Sequence, residues 1–487
     1  MTKIQEPNGN LLVFGYTDSL VSAISDGLGR SIQLIYTGPY LTQVQDANGV
    51  LRNYFYQYDG YGNLKQVTDP LGNSIQYMYL INGQLSKVID KNSNAIDIIY
   101  NPSFSVKEVI SCNSRKSFTY SRATGTTNVV DYLENGQNQV TKYIYNIKGN
   151  LIHKEGNCCG FKISYEYDDN NNIVKKIDAN GKIYHFNYDH LGNLLKETDP
   201  IGNTINFTYD TTFNNLTSSV DKNGNLTTYL YDNNGNLIEI NKPEGVKLQY
   251  TYSANGDMLT SKDGMQNITN YTYNIYGYNT AIQRPLGSNT TFTYDTKGRK
   301  LSETDPNGNI TQFNYDLLDR PTSKTDALGN TSGYTYDPNG NVLTYTNENN
   351  HSTTFNYDAS DRLVATTNAL GKSKTFSYDA MGNLTSTKNE LGNATIYTYD
   401  NLNRKVSETN PEGEKIQYAY DGNANLLTKT LPNGNVINYT YDDLNRLLST
   451  SDNIGPISTK TYDSNGNILS EAKKHYRPPG FNCFLFI

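Results

Sequence analysis

The side chains in this sequence that could do chemistry are carboxylates, and their spacing argues for architecture. Asp recurs as the first residue of Asp-x-x-Gly, as in Asp189-His190-Leu191-Gly192-Asn193 and Asp199-Pro200-Ile201-Gly202-Asn203. There a carboxylate can accept turn N–H groups, and Gly in fourth place takes a positive φ at no steric cost. A paired-carboxylate or Ca2+ reading therefore yields to a turn reading. Cys158-Cys159, within Gly156-Asn157-Cys158-Cys159-Gly160, replaces a normal second turn. A strained vicinal disulfide or a weak metal site is the functional alternative, but no nearby His or Cys completes a tetrahedral shell. The variant-turn reading is preferred.

His153, His185, His190, His351 and His475 fall at unrelated positions, and HExxH, Walker A, GxSxG and spaced CxxC motifs do not occur. The expectation is a non-enzymatic chain with no catalytic, cofactor or metal site. Cys112 and Cys483 have no evident partner, and four Cys in 487 residues do not make a disulfide scaffold.

The elements that carry these turns repeat. Tyr-Asp or a close variant starts at Tyr167, Tyr188, Tyr209, Tyr231, Tyr252, Tyr273, Tyr294, Tyr315, Tyr336, Tyr357, Tyr378, Tyr399, Tyr420, Tyr441 and Tyr462, in thirteen steps of 21 and one of 22. Such regularity marks a repeat array. Tyr16, Tyr36, Tyr58, Tyr79, Tyr100 and Tyr145 keep a looser register. Residues 1–145 thus read as degenerate repeats, irregular over 101–136, residues 146–469 as regular repeats, and 470–487 as a non-repeat tail. Between turns, Ile205, Phe207 and Tyr209 alternate with Asn206 and Thr208, the period-2 pattern of a strand. Turns every 10 or 11 residues leave strands of about five to seven and no room for helices. Each repeat is then an antiparallel hairpin, and the whole is an all-β chain forming one long coiled sheet. Aromatic residues at fixed repeat positions are expected to stack as cross-strand ladders.

Composition agrees. The 36% hydrophobic fraction is counted with 42 Tyr, and Trp is absent, so a filled interior is hard to build. Aromatic residues at 12% and a net charge of -7 are not a disordered composition. With 41 basic against 48 acidic residues there is no broad positive field, and nucleic acid is excluded as a partner. No apolar run reaches the roughly 20 residues that span a bilayer, and Met1 to Asn10 lacks the apolar stretch of a signal peptide.

Units such as YDHLGNLLKETDPIGN, YDTKGRKLSETDPNGN and YDAMGNLTSTKNELGN resemble the YD-repeat or RHS-repeat family. That family includes Rhs polymorphic toxins, WapA-type wall-associated proteins, Tc toxin shell subunits and teneurins. The resemblance implies hairpins spiralling into a hollow shell that, in the toxin members, encloses a C-terminal toxic domain. It implies a secreted or cell-surface protein, in toxin action or contact-dependent competition, whose partner is a toxin domain or other enclosed polypeptide. The alternative is a surface adhesion or carbohydrate-binding array with glycan partners, since repeated Tyr and Asn suit sugars. DPLG at Asp69–Gly72 and DPIG at Asp199–Gly202 are repeat turns, and no closing core-associated region follows Tyr462. The start at Glu6-Pro7-Asn8-Gly9-Asn10 reads as mid-repeat, and Arg477-Pro478-Pro479-Gly480 with the apolar Phe481–Ile487 breaks the register. The expectation is a fragment or truncated product of a longer YD-repeat protein, associating through its open ends.

Overall fold

A computed structural model describes residues 2–5, 11–26, 28–46, 52–132, 138–156 and 161–473. The expectations for Glu6–Asn10, Cys158, Cys159, His475, Cys483 and the tail beyond Lys473 lie outside the described residues.

The chain is all-β. Forty-five strands are described, each paired antiparallel with its sequence neighbours in one continuous meander. The only helical segments described are two 3-10 turns, Pro243–Gly245 and Pro285–Gly287. One repeat shows the local rules. The six-residue strand Thr204–Tyr209 pairs on one side with Leu194–Thr198 and on the other with the five-residue strand Leu216–Val220. A bulge falls between Thr208 and Tyr209, and the same shift precedes Tyr58, Tyr188, Tyr315 and Tyr462. A bulge bends its strand and increases the right-handed twist. One bulge per repeat therefore supplies regular curvature.

Two kinds of turn alternate. The signature turn follows Tyr-Asp, and the second turn follows the short strand. In both, the fourth residue's N–H donates to the first residue's carbonyl, as in Gly192 to Asp189 at 3.2 Å and Gly202 to Asp199 at 3.0 Å. The φ values of +88° at Gly192 and +91° at Gly202 show why Gly stands there. Where Gly is missing, Asn171, Asp319, Asp361, Asn403 and Asn445 take the same left-handed conformation, which Asn and Asp tolerate best. Through 101–132, where the sequence loses its period, the ladder continues in Val106–Ile110, Arg115–Ser121 and Thr126–Asp131.

The sheet has no filled core. No hydrophobic side chain among the described residues is fully buried, and the most buried side chains are polar, led by Asp69, Asp199, Ser332 and Ser407. The accessible surface is 28767 Å², whereas a filled 54.6 kDa monomer exposes about 18,000 Å². A single-layer sheet open on both faces accounts for the excess.

The sheet coils back on itself. Hydrogen bonds join turns 240 to 269 residues apart, from Asn223–Asp463 to Asn92–Asp361. Seam contacts run from Arg30–Tyr278 to Asn223–Asp463, so the turns up to Asn223 belong to the first coil and those from Tyr278 onward to the second. Along the seam, second turns of the first coil always meet signature turns of the second.

Aromatic stacking differs from the expectation. Only four ring pairs occur among the described residues, including Tyr334–Tyr345 at 5.0 Å and Tyr278–Tyr294 at 5.3 Å. Equivalent rings of successive repeats lie two strands apart, about 9.5 Å, beyond the ~7 Å limit for ring pairs. The intervening short strand usually offers Lys, Glu, Ser or Thr on that face, as Glu197 does between Phe186 and Ile205.

Candidate functional site

The recurring side chains tie one repeat to the next, beginning with the signature Tyr. Its hydroxyl donates to the carbonyl of the residue opening the previous short strand: Tyr209 to Leu194 at 3.1 Å, Tyr399 to Leu384 at 2.9 Å, Tyr462 to Leu447 at 2.7 Å. That acceptor lies opposite the bulge of the preceding repeat, as Leu194 lies opposite Tyr188, where ladder pairing is disrupted. Burial pushes the Tyr209 and Tyr441 hydroxyls up, so both keep their proton near neutrality. Each such bond contributes about 1 kcal/mol net.

The signature Asp closes its own turn. One Asp189 carboxylate oxygen accepts the N–H groups of Leu191 at 2.8 Å and Asn193 at 2.9 Å, and the other accepts the Asn193 side-chain amide at 2.8 Å. In five repeats the fifth turn residue is Arg: Arg299, Arg320, Arg362, Arg404 and Arg446. Arg320 Nε donates to Asp316 at 2.6 Å, its Nη1 donates to the Asp337 carbonyl at 3.0 Å, and its guanidinium lies 4.6 Å from the Tyr336 ring centroid. Arg446 repeats this with Asp442 at 2.6 Å, Asp463 at 2.7 Å and Tyr462 at 4.9 Å. Sequence reasoning missed these arginines, although Arg four places after Asp in YDTKGR, YDLLDR and YDNLNR was a visible signal.

The seam is held by reciprocal clasps. The Asn180 amide donates to Asp421 at 2.9 Å while the Asn423 amide donates to Asp178 at 2.8 Å. Asn92 donates to Asp337 and Asn339 to Asp90, both at 2.9 Å. Asn223 donates to Asp463 and Asn465 to Asp221, both at 2.8 Å. Each clasp pairs two Asp-x-Asn turns. Arg52 adds an ion pair to Asp319 and donates to the Leu317 carbonyl at 3.0 Å, and Lys182 reaches Asp443 at 2.5 Å.

These donors set the acidity of the seam. Burial raises Asp421, but the amides of Asn425 and Asn180 outweigh it and hold the carboxyl below its ordinary range. Asp337 is lowered in the same way, burial opposed by Asn341 and Asn92. The Asn467 amide, then Asn223, holds Asp463 down at about 2. These carboxylates are ionised acceptors at neutral pH.

Among the described residues, those singled out for chemistry are not brought together. His153 contacts Ser164 at 2.9 Å and Glu155 at 3.2 Å. No group of three His, Cys, Asp or Glu that could hold a metal occurs among the described residues. Cys112 is an exposed free thiol. Two concavities lie on the seam, one of about 520 Å³ beside the Asn92–Asp337 clasp and one of about 420 Å³ between Phe161, Lys154 and Arg404. The first is lined mainly by polar turn residues, and the second by strand residues such as Thr141, Lys154 and Ile163 facing the Leu402–Arg404 turn. Among the described residues no helix is long and apolar enough to cross a membrane.

Comparisons place this architecture. The RHS Repeat model matches residues 315–354, 336–373, 357–394, 378–415 and 420–453, and the Teneurin YD-shell model matches 114–274 and 182–331. No curated protein sequence matches. Among solved structures, the Photorhabdus luminescens Tc holotoxin pore is similar at 16% identity and a TM-score of 0.69, over 93% of this chain and 29% of that one. The TcdB2-TccC3 crystal structure is similar at 14% identity and 0.63, over 94% and 31%. The form without its hypervariable C-terminal region also gives 14% and 0.63, over 94% and 33%. This chain spans about a third of the length of those proteins. Two matching family models, the bulged Tyr-Asp hairpin and the coiled sheet agree: the chain belongs to the RHS/YD-repeat family.

Proposed function

We propose that this chain is a wall segment of a secreted or cell-surface bacterial toxin shell, or of a contact-dependent competition protein, and that the wall encloses a polypeptide cargo such as a C-terminal toxic domain. The observation that carries this is the absence of a filled core: a coiled sheet whose inner face meets no packing layer leaves its lumen to a guest. The recurrent Tyr, Asp, Asn and Arg side chains serve wall construction, and the segment contributes no catalysis of its own. The similarity to Tc toxin shells favours this reading over a glycan-binding array.

The test is protease protection. The polypeptide encoded with this chain is co-expressed with it and digested alone and in complex. Cargo that survives protease only in the complex, and is degraded once acid opens the wall, supports the reading. Cargo cleaved equally fast with and without the wall overturns it. Turnover in an ester, peptide and glycoside panel, lost on a single point substitution, would overturn the non-enzymatic part.

A further inference from the structure

Each of the three reciprocal clasps in the seam contains an Asn followed by Gly. Asn339-Gly340 lies in the clasp with Asp90, Asn180-Gly181 in the clasp with Asp421, and the last clasp holds both Asn223-Gly224 and Asn465-Gly466. The turn accounts for the glycines, with φ of +80° at Gly181 and +91° at Gly466. The same pairing is chemically labile. Asn is among the thermolabile residues, and a following Gly has no Cβ to keep its backbone nitrogen away from the Asn side-chain carbonyl. Asn180, Asn223 and Asn465 are exposed and Asn339 is half-buried, so water has access.

The reaction needs no partner but water. The Gly181 nitrogen attacks the Asn180 side-chain carbonyl carbon, and the new C–N bond replaces the bond to the side-chain nitrogen. Ammonia leaves, taking up the proton that the Gly nitrogen gives up. Water then opens the five-membered succinimide at either carbonyl, leaving aspartate or isoaspartate. In the closed turn the Gly181 N–H donates to the Asp178 carbonyl at 3.0 Å, and Gly466 to Asp463 at 3.1 Å, so the attack belongs to moments of local opening. What the product does depends on what it faces. The Asn180 amide donates to Asp421 at 2.9 Å and the Asn465 amide to Asp221 at 2.8 Å. Both acceptors are held below their ordinary range and are ionised at neutral pH. Deamidation replaces each donor with a carboxylate, and two carboxylates at that distance repel.

We propose that Asn180, Asn223, Asn339 and Asn465 are sites of spontaneous deamidation, and that the modification turns their clasps from attractive to repulsive and parts the two coils at the seam. Asn-Gly also occurs in turns elsewhere, as at Asn307-Gly308; in the seam the lost amide is one that holds another coil. The proposal concerns the internal seam and is independent of what the wall encloses.

The experiment incubates the full chain in mild base, which promotes deamidation, and returns samples to neutral pH over several days. Each sample is treated with a carbodiimide, which joins Lys182 to Asp443 across the seam, these groups lying 2.5 Å apart. Trypsin does not cut after a linked Lys182, so the linked peptide contains residue 180 and reports its state in the same molecule. Mass spectrometry should find deamidation at all four sites. Linked peptides should retain Asn180, while unlinked ones accumulate the product. An Asn180→Gln variant, which keeps an amide donor and closes the ring far more slowly, should hold its linkage through the same incubation. Clasp sites that stay unmodified while a urea-unfolded sample deamidates would overturn the proposal. Product at 180 divided equally between linked and unlinked peptides would do the same, as would a folded Asn180→Gln chain that loses linkage at the wild-type rate. Should Asn180→Gln fail to link from the start, the division of product in the wild type decides alone.

Discussion

Asp199 and Asp326 open turns of the same kind on different coils, and their surroundings differ. Asp199 accepts N–H groups from Ile201 and Asn203 at 3.1 and 2.9 Å; Asp326 accepts them from Leu328 and Asn330, both at 2.9 Å. The local geometry is the same. Yet the Asp199 side chain has no exposed surface and meets Lys222 at 3.0 Å, while the tip beside Asp326, Leu328, is 87% exposed. A turn is thus made by its own five residues, and what it is worth depends on what packs beside it, which for Asp199 is Lys222 of the next second turn.

Acid should have the largest effect, and on both turns, since Asp326 is held below its ordinary range as well, by the Asn330 amide and the turn N–H groups. Burial opposes ionisation of Asp199, and Lys222, Asn203 and the turn N–H groups overcome it, so its folded value is lowered. Asp337, Asp421 and Asp463 are lowered as well. A depressed folded value means that the stabilisation is complete above the ordinary 3.8 and is lost as pH falls through the folded value, for Asp463 between 3.8 and about 2. The urea midpoint should hold steady from neutrality into mild acid and then drop steeply across that window. A steady decline starting at neutrality would contradict the assignment.

Single substitutions sharpen the contrast. Asp199→Ala strands Lys222 beside a buried turn and should cost about 3 kcal/mol in denaturant unfolding, whereas Asp326→Ala should shift the midpoint much less. Equal effects would mean that Lys222 adds nothing to the turn. Tyr399→Phe removes the bond to the Leu384 carbonyl and should cost about 1 kcal/mol; Tyr61→Phe, at an exposed tip, is the control expected to change nothing. The smallest effect belongs to Leu328→Ser, within about 0.5 kcal/mol, against about 1 kcal/mol for Leu402→Ser in the seam. A larger loss at Leu328 than at Leu402 would contradict the placement of Leu402 in the seam.

Much of the wall was legible in the residues. Asp189 and Gly192 announced a turn because their chemistry is satisfied within five residues, and Ile205, Phe207 and Tyr209 announced a strand because side-chain direction alternates along any extended chain. The role of the Tyr hydroxyl was not legible, since its acceptor at Leu194 is exposed only by a bulge that a period-2 pattern does not reveal. The predicted aromatic ladder failed for a related reason: the pattern gives the face of each ring but not the polar strand that intervenes.

By itself, then, the sequence determined the repeat, the strands, both turns and the family, all of which rest on contacts within one or two hairpins. Only the tertiary structure decided that Asn180 meets Asp421 and Asn223 meets Asp463, and so which turns lie in the seam. Those outcomes depend on the small rotation each bulged hairpin adds, summed over a whole coil. No single repeat encodes that sum, so a clasp spanning 240 residues leaves no mark in the local pattern that builds it.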